Sequence, residues 1–209
     1  MVKLTWFNHA SFRLAAPGVV VYIDPWKLPP AAGDGDIVII SHIHHDHFDP
    51  AAAAARAKQD ASFFGPADVI AKLGRGTVIL PGQRIQEKGV GIEAVAAYNL
   101  TKSFHPKANN WIGVVLSIEG HRVYYAGDTD QTPEMNALED IDLALLPVGG
   151  TYTLNAAEAA RACKAIGPKA AIPSHWGDLV GSAADAAEFV AALEGCTAHL
   201  LKPGQSITL

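Results

Sequence analysis

The most constraining feature of the chain is a dense histidine cluster that directly follows a short apolar strand. Residues 36–41 read DIVIIS, which is typical of a buried strand, and residues 41–49 then read SHIHHDHFD. Imidazoles packed this closely repel one another when protonated, and a bound metal ion relieves the repulsion by holding them neutral. The segment therefore predicts a metal site at the end of a strand. The spacing HxHxDH selects four candidate ligands: His42, His44, Asp46 and His47.

Two further candidate ligands also stand where apolar segments end. Asp128 follows YYAG, and His175 follows AAIPS. Imidazole nitrogen and carboxylate oxygen suit zinc and similar divalent ions, and a carboxylate beside a glycine can approach two cations closely. In layered α/β folds, ligands bind at the edge where strands end and loops gather. We therefore expect Asp128, His175 and the histidine cluster to share one site.

Strand-like and helix-like segments alternate along the chain in two groups. The segments LTWFNHASFRL, VVVYI, DIVIIS, VVLSIEG, HRVYYAGD, DLALLPV and KAAIPS predict strands. A helix is predicted through AAAAARAK, because Asp49 can cap it and Pro50 suits its first turn. Asn155 and Ser182 each precede an acidic residue by three positions, which is the spacing of a capping box. No linker divides the chain, so we predict a single domain over residues 1–209.

Composition and charge exclude several classes of partner. With 49% hydrophobic and 18% charged residues, the chain has the composition of an ordinary globular protein. The net charge of −5 provides no basic field for a phosphate backbone, so nucleic acid is not an expected partner. The opening MVKLTWFNHASF lacks the basic start and apolar stretch of a secretory signal, and no segment approaches transmembrane length. We therefore expect a cytoplasmic protein that does not bind membranes.

Three motifs, taken in order, resemble those of the metallo-β-lactamase superfamily. They are HxHxDH after a strand, AGDTD at residues 126–130 and SHW at residues 174–176. The resemblance spans nearly the whole chain and implies an α/β fold of αββα type. In that four-layer sandwich, two mixed β-sheets are flanked by helices and a dinuclear site lies at one edge. NHAS at residues 8–11 and IDP at residues 23–25 further resemble the ascorbate-6-phosphate lactonase-like branch of the superfamily.

The same resemblance divides the candidate ligands between two metal ions. In relatives a further histidine of the first ion follows a middle strand, and here that region reads AVAAYNLTKSFHPK. It offers Asn99 and His105, and we predict His105 because imidazole binds such metals better than a carboxamide does. Alternatively, Asn99 lies near the metal and His105 contacts substrate; if neither is a ligand, a single metal ion is expected. The remaining ligands implied are His42 and His44 for the first ion, Asp46, His47 and His175 for the second, and Asp128 for both.

A few other residues are candidates for contacts with substrate or for support of the ligands. By the same resemblance, His9 can line the pocket, and Asp24 can orient a metal-binding imidazole from behind. Lys102, together with its neighbours Lys107 and Trp111, can hold an anionic group of the substrate.

These residues predict a hydrolase that uses two divalent metal ions, zinc in preference to manganese or iron. Such a pair lowers the pKa of water toward neutrality and polarises the scissile bond. The sequence has no GxSxG elbow and no clear cysteine nucleophile, so we expect water as the nucleophile and Asp46 and Asp128 as catalytic carboxylates. The expected substrate is a small ester, lactone, amide or phosphodiester, which can be anionic. The alternatives are a non-catalytic metal-binding sensor on the same fold and a lipid phosphodiesterase.

Overall fold

The computed structural model describes residues 1–209 and contains fourteen strands and five α-helices. The strands are β1 Lys3–Asn8, β2 Ser11–Ala16, β3 Val19–Ile23, β4 Gly35–Ile39, β5 Ala57–Gly65, β6 Thr77–Val78, β7 Arg84–Glu87, β8 Val90–Ala96, β9 Ile112–Ile118, β10 His121–Tyr125, β11 Leu143–Pro147, β12 Ala170–Ser174, β13 Thr197–Ala198 and β14 Ser206–Thr208. The helices are α1 Pro50–Arg56, α2 Ala67–Leu73, α3 Pro133–Asn136, α4 Ala156–Ile166 and α5 Ala183–Ala192. None of them has the length and apolar character needed to span a membrane.

The strands form two seven-stranded sheets that resemble each other in plan. The first has the order β14-β1-β2-β3-β4-β5-β6 and is antiparallel from β14 to β3 and parallel from β3 to β6. The second has the order β13-β12-β11-β10-β9-β8-β7 and is parallel from β13 to β10 and antiparallel from β10 to β7. Both sheets are therefore mixed, as the resemblance implied.

Three buried clusters define the layers of the fold. The side chains of a strand alternate between its two faces, so Ile37 and Ile39 of β4 enter the cluster of 27 residues between the sheets, whereas Val38 and Ile40 face outward. The outward-facing pair belongs to a cluster of seven residues that packs the first sheet against α1 and α2. A cluster of 18 residues packs the second sheet against α3, α4 and α5. The order helices, sheet, sheet, helices confirms the predicted αββα sandwich.

Three of the five helices begin at the caps that the sequence predicts. The carboxylate of Asp49 accepts a hydrogen bond from the backbone N–H of Ala52 at 3.0 Å, which caps α1. Asn155 and Ser182 form complete capping boxes at the first turns of α4 and α5. Local side-chain chemistry therefore sets these three starting points.

The first helix is shorter than its alanine run predicts. AAAAARAK predicts a helix through Lys58, yet α1 ends at Arg56 and β5 begins at Ala57. Ala57 pairs with Gly35 of β4, so the chain enters the first sheet directly after Arg56. Pairing within the sheet outweighs the helix propensity of alanine here.

The strands that lead into the candidate site share a direction within each sheet. In the first sheet β1, β3 and β4 run parallel to one another, and in the second sheet β8, β10 and β12 do so. The C-terminal ends of these six strands are followed by candidate residues, as the sequence predicted for a shared edge. In chain order these are His9, Asp24, residues 42–47, Asn99, Asp128 and His175.

Candidate metal centre

All seven predicted ligands converge on one small volume, although they come from loops far apart in sequence. They form three sets in which the ligand atoms lie within 4.8 Å of one another. His9, which was predicted only to line the pocket, joins one of these sets. The sets are His42, His44 and His105; His42, His47 and Asp128; and His9, Asp46, His47 and His175.

Asp128 lies at the centre of the group. Its Oδ1 is 3.2 Å from Nε2 of His47, and its Oδ2 is 3.3 Å from Nε2 of His105 and 3.1 Å from Nε2 of His175. The same Oδ2 lies 3.9 Å from Nε2 of His42. The carboxylate therefore faces imidazoles of both predicted ligand groups, which is the position that a bridging ligand requires.

Several ligand atoms at the centre are buried without a hydrogen-bond partner. They are Nε2 of His47, His105 and His175, together with Oδ1 of Asp128. Buried polar atoms in folded proteins nearly always have a partner, so four unpaired atoms in one cluster call for an explanation. Because imidazole and carboxylate are donors for zinc-type ions, the residues present fit divalent metal ions at this centre.

The charges at the centre are strongly coupled. Burial by itself would raise the pKa of Asp128, but His175 and His47 lower it well below its ordinary value. Burial would likewise lower the pKa of His47, whereas the carboxylates of Asp128 and Asp24 raise it well above its ordinary value. Burial, followed by repulsion from His47, lowers the pKa of His42 and keeps that imidazole neutral. The carboxylates thus favour protons on the imidazoles of His47 and His175, and a divalent cation would compete with those protons for the same nitrogen atoms.

The sequence left open whether His105 or Asn99 is the metal ligand, and the hydrogen bonds between them bear on this choice. Nδ1 of His105 donates to Oδ1 of Asn99 at 2.9 Å, and the backbone N–H of His105 donates to the same oxygen at 3.1 Å. This leaves Nε2 of His105 facing Asp128. The side-chain amide of Asn99 donates to Asp130 at 3.1 Å. The geometry therefore favours His105 as the ligand and Asn99 as the residue that orients it.

The two lysines of this loop are paired with carboxylates. Nζ of Lys102 lies 2.5 Å from Asp130, and Nζ of Lys107 lies 2.8 Å from Glu134. Neither lysine lines the cavity above the centre. These contacts do not favour the prediction that the lysines hold an anionic group; Lys102 instead supports His105 through Asp130 and Asn99.

Trp111 packs against two of the predicted ligands and does not line the cavity over the centre. Its ring lies 5.0 Å from the ring of His42 and 4.8 Å from that of His44, measured between centroids. Its Nε1 donates to Asp68 at 2.8 Å. Trp111 therefore restrains the two imidazoles, and its only donor is already used.

Asp24 orients His47 from behind, as the resemblance implied. Its Oδ2 lies 2.7 Å from Nδ1 of His47, which leaves Nε2 of that ring directed to Asp128. Asp24 also accepts hydrogen bonds from the backbone N–H and the hydroxyl of Ser41 at 2.7 and 2.6 Å and from the hydroxyl of Tyr125 at 2.5 Å. Ser41 and Tyr125 were not among the predicted site residues, although each stands just ahead of a ligand motif near a strand end.

His9 contacts two of the predicted ligands and, contrary to its prediction, does not line the cavity. Its Nε2 lies 3.1 Å from Oδ2 of Asp46, and its ring centroid lies 3.9 Å from that of His175. His9, Asp24 and His175 also have positive φ angles of 38°, 43° and 58°. Such strained backbone is uncommon outside glycine and clusters at functional sites.

A cavity of about 440 Å³ opens over the centre. This volume is within the range of small-molecule sites, roughly 300–1,000 Å³. A second cavity of similar size, beside Tyr98 and Glu134, contains none of the seven predicted ligands. The lining of the cavity at the centre is His44, His45, Asp46, Phe104, His105, Asp128, Tyr152, Leu179 and Val180.

Comparisons with known proteins agree with this fold and site. Residues 3–175 match the family described as the Beta-lactamase superfamily domain. A UPF0173 metal-dependent hydrolase from Aeropyrum pernix is 32% identical over 235 residues, covering 99% of this chain and 97% of that protein.

Two solved structures are similar over nearly the whole chain. One, from Parabacteroides distasonis, is 34% identical with a TM-score of 0.88 and covers 95% of this chain and 92% of its own. The other is Igni18, a metallo hydrolase from Ignicoccus hospitalis, which is 28% identical with a TM-score of 0.82. It covers 99% of this chain and 97% of its own.

Proposed function

Because the chain belongs to the β-lactamase superfamily and, within it, to the UPF0173 metal-dependent hydrolases, we propose that it hydrolyses a small ester, lactone, amide or phosphodiester at a dinuclear, zinc-type centre. The observation that carries the proposal is the position of Asp128. Its two oxygens lie 3.2 Å from Nε2 of His47 and 3.3 Å from Nε2 of His105, beneath a cavity large enough for a small molecule.

Two of the three sets of ligand atoms correspond, apart from His9, to the two metal ions that the resemblance implies, and the third joins Asp128 to one histidine of each. When bound, two divalent ions would supply Lewis acidity and lower the pKa of water toward neutrality. We assign His42, His44 and His105 to the first ion, Asp46, His47 and His175 to the second, and Asp128 to both.

Asp46 is the residue that we assign to proton transfer. It lines the cavity, and its Oδ2 lies 3.6 Å from Nε2 of His175. Burial by itself would raise the pKa of Asp46, but the neighbouring imidazoles of His175 and His9 lower it below its ordinary value. The carboxylate is therefore ionised. We assign it the proton of the attacking water because it lines the cavity, and Asp128 would hold the imidazoles of both groups in place.

Metal analysis combined with turnover assays tests this proposal. The protein would be stripped with a chelator, reloaded with zinc, manganese or iron(II), and assayed on a simple carboxylic ester, a lactone, an amide and a phosphodiester. We expect about two metal ions per chain, and activity in the loaded protein only. His42→Ala and His47→Ala should lose metal and turnover together, whereas His121→Ala, outside the centre, should keep both.

Two results would contradict the proposal in different ways. Full turnover by His47→Ala in metal-free buffer would rule out metal-dependent hydrolysis. A protein that binds two ions and turns over none of the four substrate types would instead favour the non-catalytic sensor.

A further inference from the structure

The protein exposes only one phenylalanine and one tyrosine, and both lie at the candidate centre. Phe104 is the one phenylalanine of seven, and Tyr152 the one tyrosine of five, that the fold leaves exposed, at 45% and 37%. All the others are buried or half-buried. Leaving large apolar surface in water is unfavourable, so the placement of both residues at the cavity points to a use there.

These residues form one side of the cavity, here called the apolar wall: Phe104, Tyr152, Leu179 and Val180. Phe104 comes from the loop between β8 and β9, next to His105, and Tyr152 from the loop between β11 and α4. Their rings meet edge to face, with centroids 4.7 Å apart and an angle of 84° between planes. Leu179, from the loop after β12, is 46% exposed. Three separate loops thus bring apolar groups to the same side of the centre.

The apolar wall has no cation beside it. No lysine or arginine lines the cavity. Lys102, two residues before Phe104, is bonded to Asp130, and Lys107 is paired with Glu134. A charged substituent placed against the wall would lose hydration without gaining an ion pair with a lysine or arginine, which is costly.

We propose that the substrate carries an uncharged aromatic or branched aliphatic group beside its scissile bond, and that Phe104 and Tyr152 select this group. The inference rests on the proposed function, because it concerns the same cavity. Burial of apolar surface and edge-to-face contact with the two rings provide the discrimination. The metal centre holds the reacting group, and the apolar wall holds the substituent.

Matched hydroxamates test the selection without requiring turnover. Zinc-loaded protein would be titrated by calorimetry with 3-phenylpropanohydroxamic acid and with the monohydroxamate of succinic acid, which share a chelating head and differ in the charge of the tail. We expect the phenyl compound to bind at least about tenfold more tightly. In the Phe104→Ala/Tyr152→Ala variant this preference should fall to about twofold or less.

Two control variants separate recognition from folding. Leu200→Ala removes an apolar side chain that is also 45% exposed but does not line the cavity, and it should keep the full preference. Phe104→Leu retains an apolar group and should keep most of the preference for the phenyl hydroxamate. Equal binding of the two hydroxamates by the parent protein, or an undiminished preference in the double variant, would overturn the inference.

A turnover comparison distinguishes this inference from the proposed function. The substrates would be γ-phenyl-γ-butyrolactone and γ-carboxy-γ-butyrolactone. The value of kcat/KM should favour the phenyl compound in the parent protein and not in Phe104→Ala/Tyr152→Ala. Preference in binding, with no turnover of these lactones or of the four substrate types named above, would defeat the proposed function and leave the apolar wall supported. Turnover without a preference for the phenyl compound would support the proposed function and defeat the inference about the apolar wall.

Discussion

Asp24 and His47 form the most deeply buried ion pair of the centre: Oδ2 of Asp24 lies 2.7 Å from Nδ1 of His47, and both side chains are fully buried. The pair joins the segments that follow the neighbouring strands β3 and β4. With Nδ1 engaged, only Nε2 of His47 is free to face Asp128. The fold therefore fixes the orientation of this imidazole before any ion binds, which is the usual role of a carboxylate behind a histidine ligand.

Asp24→Asn should weaken metal binding while leaving the ligands themselves in place. The amide lacks the negative charge that favours a proton on Nδ1 of His47, so we expect zinc affinity to fall roughly 10- to 100-fold. Competition with a chromophoric chelator measures this change. Asp142→Asn, the same substitution outside the centre, provides the control and should leave zinc affinity unchanged. Equal affinities for Asp24→Asn and the parent would contradict the orienting role.

Asn99→Ala and His105→Ala should differ in stoichiometry as well as in affinity. Removing Asn99 frees the ring of His105 to rotate, so we expect weaker binding but still about two zinc ions per chain at saturation. Removing His105 deletes a ligand and should leave about one ion. Elemental analysis after gel filtration distinguishes the two outcomes. The opposite pattern would make Asn99 the ligand and His105 the supporting residue.

Asp142→Asn should reduce stability at neutral pH and have little effect in acid. Burial would raise the pKa of Asp142, but hydrogen bonds from Lys169 and from the backbone N–H of Arg122 lower it below its ordinary value. Because the folded pKa is lower than the unfolded value of about 3.9, the stabilisation is present above pH 4 and is lost as the pH falls through the folded pKa. We expect a loss of about 1 kcal/mol in the free energy of unfolding at pH 7.

Urea unfolding at a series of pH values, with chelator present, measures this effect apart from the metal centre. The curves of the parent and of Asp142→Asn should converge as the pH falls below about 4. A difference that stays constant across the whole series would show that the substitution acts through packing instead.

Gly113→Ala should destabilise the second sheet next to the centre. A Cβ at this position of β9 would lie 2.6 Å from the backbone oxygens of both Tyr125 and Ala126, so the backbone leading to Asp128 must shift. We expect a loss of about 1–3 kcal/mol in the free energy of unfolding, together with weaker zinc binding. Gly91→Ala in β8 should cost less, because the nearest atom is the flexible end of Gln86, 3.0 Å away. Thermal unfolding of the two variants tests the difference.

The sequence predicted the parts of this molecule that depend on local patterns. Asp49, Asn155 and Ser182 cap helices because a cap needs only neighbouring residues. The convergence of Asp128 and His175 on the histidine cluster was also foreseen, because candidate ligands recur at strand ends and strand ends meet at one edge. The resemblance to a known family supplied the order of the layers.

Features that depend on distant partners were harder to foresee. The end of α1 at Arg56 is set by pairing between β5 and β4, which the alanine run does not reveal. The choice between Asn99 and His105 depends on the path of an irregular loop, where periodicity gives no guide. Likewise, Phe104 and Tyr152 stand 48 positions apart, and their meeting is decided by how two loops fold over the cavity.

Neither sheet of the sandwich carries a complete set of ligands. His42, His44, Asp46 and His47 extend from the first sheet, and His105, Asp128 and His175 extend from the second. An ion bound by residues of both sheets would link the two sheets to each other. Release of the ion and separation of the sheets would then be thermodynamically coupled. The free energy of unfolding would then rise with the concentration of free metal ion. The same few side chains would contribute both to catalysis and to the stability of the fold.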